Sequence, residues 1–208
     1  MKRIFIAGFE SFRGLYDTPS RFVAEKIGSE TYQRIFLSED WKIDSFIMPL
    51  DRTAVDYQTL SYRIHHDKPD AVLIFGAALK SAVISVEEVV YNRFISTEKH
   101  LDEYETIDPQ QSKNHTYWCT INTELIVRTL RAKEIPAQSS LYPGLFYCNF
   151  AAYTIARIIH RHRPETRFGL IHIPLTPGEV ARNPRYKESP SLSKEKMIQA
   201  AEIICELA

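Results

Sequence analysis

The chain has 208 residues, with 26 basic and 26 acidic side chains and a formal net charge of +0, so no bulk field favours nucleic acid or an anionic membrane. Hydrophobic residues make up 44%, enough for a sizeable core without disulfide staples. The cysteines, Cys119, Cys148 and Cys205, are odd in number, widely spaced and free of any CxxC pattern, which argues against a metal site or a disulfide framework and fits a reducing cytoplasm. The apolar run after Met1 is too short for a signal peptide, and no segment has the apolar length of a membrane span.

In chain order, Lys2 to Ala7 predicts a buried first strand, ended by Gly8. Pro19-Ser20 opens a helix to Ile27 with Phe22, Val23 and Ile27 on one face. Strands are expected at Arg34 to Leu37 and Lys42 to Met48, then a helix capped by Asp51 and running to about His66. Ala71 to Gly76 is a continuous apolar run, the pattern of a central strand covered on both faces. Val83 to Tyr91 reads as a second β-rich stretch. Phe94 to Tyr117 is polar, unpatterned and long for a connection, which marks it as a functional or mobile excursion. Asn122 to Ala132 predicts a helix, Ala137 to Leu141 a strand, Cys148 to His162 a helix and Phe168 to Ile173 a strand. After a Pro-rich loop, Ser193 caps a final helix to about Leu207. Strands alternating with helices predict an α/β fold, a sandwich around a twisted sheet. With no repeat and no linker, residues 1–208 read as a single domain with an irregular excursion at about 94–117.

Cys148 lies at a strand-to-helix junction, where free N–H groups at the helix start favour a thiolate. His172, in Gly169-Leu170-Ile171-His172-Ile173-Pro174, is placed on a later strand and can supply a base. Spacing alone leaves two readings of each residue: a buried packing thiol or a nucleophile, a core histidine or a base. Other chemistries find no support. No GxxxxGK[ST] loop occurs. His160-Arg161-His162-Arg163 reads as a cationic helix end favoured by the dipole rather than a metal site.

Several segments together resemble the pyroglutamyl peptidase I (pyrrolidone carboxyl peptidase) family. Gly8-Phe9-Glu10-Ser11-Phe12-Arg13-Gly14 is similar to its GFEPFGG loop, and Ile84 to Asn92 to its ITLERVAIN segment. Tyr117-Trp118-Cys119-Thr120 resembles YFSTLP, Gly144 to Asn149 resembles GTFVCN, and Gly169 to Pro174 resembles GFIHVP. The resemblance implies a three-layer α/β/α sandwich around a twisted mixed sheet, nucleoside-phosphorylase-like, in a cytoplasmic homo-oligomer, dimer or tetramer. It implies a cysteine peptidase that removes N-terminal pyroglutamate, or a similar small cyclic cap, without metal or cofactor. Its partner is a small peptide with a blocked N-terminus, and neither nucleic acid nor membrane is expected. By that matching Cys148 is the nucleophile, His172 the base and Glu87 the carboxylate that orients the histidine. Phe9 and Phe12 match the aromatic pair that sandwiches the lactam ring. Phe146 and Tyr147 adjoin the nucleophile, Tyr147 in place of a smaller valine-like residue that leaves more room.

The match is incomplete around the substrate. The family's GQAGGR stands here as Gly76-Ala77-Ala78-Leu79-Lys80-Ser81, so Ala77 replaces the lactam-recognising glutamine. Thr18 replaces the asparagine of an NPS turn. Thr97 falls where an oxyanion-assisting arginine is expected, and Arg93 is near in sequence but out of register. A second reading therefore stands beside the first: a divergent relative that binds a ligand, or an amidohydrolase with another small substrate.

Overall fold

The computed structural model describes residues 1–36, 41–96 and 103–208. Six strands form the main sheet: β1 (Lys2–Phe9), β2 (Trp41–Met48), β3 (Ala71–Ala77), β4 (Ile84–Glu87), β7 (Ala137–Ser140) and β8 (Arg167–Ile173). Their order is β2-β1-β3-β8-β4-β7, parallel throughout except for the antiparallel β4–β8 pair. The interior strands β1, β3 and β8 are apolar on both sides, as a sheet covered by helices on both faces requires. Two further strands, β5 (Val89–Tyr91) and β6 (Thr116–Trp118), pair as a separate antiparallel ribbon.

One face carries α1 (Pro19–Gly28), α4 (Thr123–Ala132) and α7 (Lys194–Leu207), burying Ile4, Ile6, Leu73, Phe75, Val86 and Ile171. The other carries α3 (Tyr57–Asp67) and α5 (Tyr147–His162), burying Phe5, Ile74 and Leu170. The result is the three-layer α/β/α sandwich around a mixed sheet. Capping explains where several helices begin: Asn122 accepts from Leu125 N and Ser193 from Lys196 N.

Four local expectations are corrected. Residues 34–36 belong to a helix, α2 (Glu30–Phe36), not a strand. The Ser29 hydroxyl accepts from Tyr32 N, and Gln33 docks the helix by bonding Gly28 O and both the N–H and C=O of Ile43. Leu37, the end of that expected strand, and the turn at 38–40 lie outside the described residues. The cap of α3 is Asp56, which accepts from Thr59 N at 2.9 Å, whereas Asp51 closes a local turn on Thr53. Val83 to Tyr91 splits at Glu88 into β4 and β5, which join different sheets. The Pro-rich loop contains α6 (Pro177–Arg182) and a 3-10 turn at Pro184–Tyr186.

The described part of the excursion is anchored. Buried Asn92 donates to the carbonyls of Asp108 and Ser112 and accepts from Asp108 N. Asp108 pairs with Arg157 of α5 at 3.1 Å, and Phe94 bridges to Glu105.

Candidate active site

The sheet register places the histidine. His172 near the end of β8 lies beside Gly76 of β3 and opposite Ser85 of β4, while Glu87 lies opposite Leu170. Opposed residues share a face, so His172, Ser85 and Glu87 all point to the α5 side. The His172 Nδ1 and Glu87 Oε1 are 2.8 Å apart. Glu87 is 2% exposed, and its Oε2 has no hydrogen-bond partner among the described residues.

Cys148 completes the line from α5. Phe146 is the extended residue before that helix and offers no side-chain cap, so the N–H groups of the first turn have no partner within the helix. Cys148 Sγ and His172 Nε2 come together above Gly76. A Cβ placed on Gly76 would fall 2.9 Å from both Cys148 Sγ and His172 Nε2, so glycine there lets the thiol and imidazole meet over the strand end. Burial opposes a charged imidazole, but hydrogen bonds to Cys148 and Glu87 and their charges outweigh it, raising the His172 pKa from 6.5 to about 10. Asn149, the next residue, is fully buried and locks the helix start to the β5 segment. It accepts from Tyr91 N at 2.8 Å and donates to Tyr91 O at 2.9 Å and Arg93 O at 2.7 Å.

The other two thiols are elsewhere. Cys119 packs against the core on the α5 face and Cys205 is buried in α7; burial pushes both up to about 12. Among the described residues, no group of three or more His, Cys, Asp and Glu side chains is arranged to hold a metal ion. No helix among them is long and apolar enough to cross a membrane.

The expected substrate residues fall in different surroundings. Phe9 is only 2% exposed and belongs to the core under α3 and α5. Phe12 packs in a small cluster with Leu15, Leu79, Leu175 and Tyr186. Phe146 is 38% exposed, with the Arg13 guanidinium 5.7 Å above its ring. Tyr147 stacks edge-on against Phe94 at 5.2 Å. Ala77 ends β3, and Thr97 lies outside the described residues. The Arg93 side chain is not turned to the nucleophile: it donates to Lys113 O and Asn114 and covers the Tyr104 ring.

Three residues unnoticed in the sequence hold the Phe9 to Thr18 loop. Glu179, fully buried, accepts from Tyr16 N and Asp17 N, both at 3.1 Å. Asn183 donates to Gly14 O at 2.8 Å, and the Tyr186 hydroxyl donates to Arg13 O. Thr176-Pro177-Gly178-Glu179 carried a signal, the S/T-x-x-E spacing of a helix start. Thr176 does cap α6 on Glu179 N, but the glutamate reaches the neighbouring loop.

Comparison with known proteins addresses the fold and the whole length of the chain. A family model described as pyroglutamyl peptidase matches residues 2–208. The pyrrolidone-carboxylate peptidase of Bacillus subtilis (strain 168) is 30% identical over 207 residues, covering 97% of this chain and 90% of the relative. That of Thermococcus onnurineus (strain NA1) is 29% identical, covering 97% and 96%. The crystal structure of pyroglutamyl peptidase I from Bacillus amyloliquefaciens superposes with a TM-score of 0.84 at 26% identity, covering 100% of this chain and 94% of that one. Pyrrolidone carboxyl peptidase from Thermococcus litoralis has the same fold, at a TM-score of 0.83, 22% identity and coverage of 100% and 93%. With its fold and nearly its whole length matched, this chain belongs to the pyroglutamyl peptidase family.

Proposed function

We propose that this protein is a cysteine peptidase that releases pyroglutamate from the N-terminus of peptides. The observation that carries this reading is the continuous line Glu87–His172–Cys148, buried at one end and open to the helix start at the other. The Cys148 sulfur, its proton already held on His172 Nε2, attacks the carbonyl carbon of the blocked residue. The carbonyl oxygen takes up negative charge and is met by N–H groups of the first turn of α5. The amide C–N bond breaks, and His172 returns the proton to the leaving amine. Water, activated by the same imidazole, then cleaves the thioester to free pyroglutamate and regenerates the thiol. Glu87 keeps the proton on Nδ1 and favours the imidazolium, the role of a third triad member.

Nucleophile, base and oxyanion donors all come from the chain, so the chemistry calls for no cofactor. Phe9, Phe12, Phe146 and Tyr147 are the side chains assigned to the cyclic cap. The matched span of residues 2–208 supports one peptidase domain, and we place it in the cytoplasm. Exposed Trp118, Leu141 and Tyr142 lie on segments joined through β5, since Tyr91 bonds Leu141 O and Val89 pairs with Trp118. They support a homo-oligomer. Release of a fluorophore from a pyroglutamyl amide, lost in Cys148→Ser, is the expected result. Hydrolysis undiminished in Cys148→Ser would refute the assignment.

A further inference from the structure

Arg13 occupies a backbone position that suits glycine or asparagine far better. Phe12 to Leu15 form a tight turn closed by Leu15 N to Phe12 O at 3.0 Å. Both central residues have positive φ, 51° at Arg13 and 77° at Gly14. That is the geometry of a type I′ turn, whose usual residues are Asn and Gly. The motif this loop resembles, GFEPFGG, has glycine where Arg13 stands. Nothing about the turn itself calls for arginine, and the strain persists because Asn183, Tyr186 and Glu179 hold the loop from outside. The guanidinium lies over Phe146, two residues before Cys148.

Two more cations edge the same region. Phe12, Leu79 and Tyr186 share the small apolar cluster, and each has a cation next to it in the chain: Arg13, Lys80 and Arg185. Lys80 follows Gly76 by four positions, and Ala78 N is bonded to Ile173 O beside His172. Lys80, Arg185 and Lys187 line a groove of about 400 Å³, with Glu188 as its acidic member. Glu188 faces Lys187 at 3.7 Å. No carboxylate among the described residues pairs with Arg13, Lys80 or Arg185. In a chain of zero net charge, this is a local excess of positive charge at the C-terminal ends of the strands that carry the site.

We propose that Arg13, Lys80 and Arg185 read the peptide beyond the scissile bond, so that the preferred substrates are pyroglutamyl peptides with acidic residues just after the cap. The inference rests on the peptidase reading above and adds the substrate class. Exposed cations act mainly on encounter and affinity, so the preference falls on KM rather than kcat.

The test uses three peptides of one length, with pyroglutamate followed by Ala and then by two Asp, two Gln or two Lys. Cleavage is followed by chromatography, and binding of each peptide to Cys148→Ser by calorimetry. The expected order is Asp over Gln over Lys, with KM and Kd at least about fivefold apart between the extremes. The gap should close on raising salt from about 0.1 to 1 M, as the screening length drops from about 10 to 3 Å. It should also shrink to within about twofold in Arg13→Gly, which suits the turn, and in the Lys80→Gln, Arg185→Gln double variant. Cleavage of all three peptides with equal constants overturns the acidic preference and leaves the peptidase reading intact. Selective binding of the Asp peptide without turnover supports the groove and overturns the peptidase reading. Equal binding, or none, overturns the groove. An unchanged gap in both variants would show that other residues read the charge.

Discussion

Gly76 is the residue on which the thiol and imidazole turn. Any side chain there enters the space between Cys148 Sγ and His172, with the nearest ring carbon 2.7 Å from the added Cβ. Gly76→Ala is expected to lower kcat/KM by about 100-fold or more, since displacement of a reacting group by about 1 Å has that effect. Circular dichroism should show the fold retained. Glu87 and Glu88 give a paired experiment. Glu87 faces His172, whereas Glu88 lines a groove against Glu124 and Arg128 of α4 on the other side. Glu87→Gln should reduce turnover by roughly 10²–10⁴, and Glu88→Gln should leave it within about twofold. The opposite ranking would put the strand out of register by one. The histidine also leaves a mark on stability. Its folded pKa is raised from 6.5 to about 10, so the stabilisation is fully present below 6.5 and is lost as pH rises through about 10. Melting temperatures across that window should fall more steeply for the wild type than for Glu87→Gln.

At the scale of elements, α5 is aimed by Asn149 rather than by a cap on its first turn. Asn149→Ala removes three buried hydrogen bonds to Tyr91 and Arg93 and should destabilise by about 1–3 kcal/mol. Activity should fall further than folding does, because the same contacts fix Cys148. Chemical denaturation and kcat/KM, measured on one sample, separate the two effects. Elements with a strong periodic or apolar pattern were legible in the sequence: β1, β3, β8, α4 and α7 stand where their burial patterns predicted. Residues 30–36 were not, because α2 is held by Ser29 and by Gln33 bonding the distant Ile43. Local propensity at Arg34 to Phe36 carries no trace of that tertiary contact. The pairing of Glu87 with His172 was legible through segments that keep their order along the chain. The bonds of Glu179 to the backbone of Tyr16 and Asp17, and the strained turn at Arg13, depend on a side chain meeting backbone across more than 160 positions or on a backbone angle, and neither shows in a string of letters.

For the whole molecule, the antiparallel β4–β8 pair is the decisive feature of the topology. It lets Glu87 on β4 approach His172 from the side while α5 delivers Cys148 from above the sheet. The edge strand β7 leads into exposed Leu141 and Tyr142, near exposed Trp118 of β6. Light scattering is expected to give a mass above that of one chain. The Leu141→Asp, Tyr142→Asp double variant should shift it toward the monomer with melting temperature little changed. A monomeric wild type would remove this surface from consideration.

The partial burial of Cys119 and the full burial of Cys205 give the protein a built-in counter. Both thiols are held up at about 12 by the apolar core, so neither competes for an alkylating reagent near neutral pH. Iodoacetamide should modify Cys148 alone, and peptide mapping should find no other carboxamidomethyl site. Moles of label per mole of chain then report the fraction of molecules with an assembled catalytic line, independent of any substrate. A preparation can be titrated for active sites before its natural peptide is known, and rates for every variant above can be expressed per functioning site rather than per milligram.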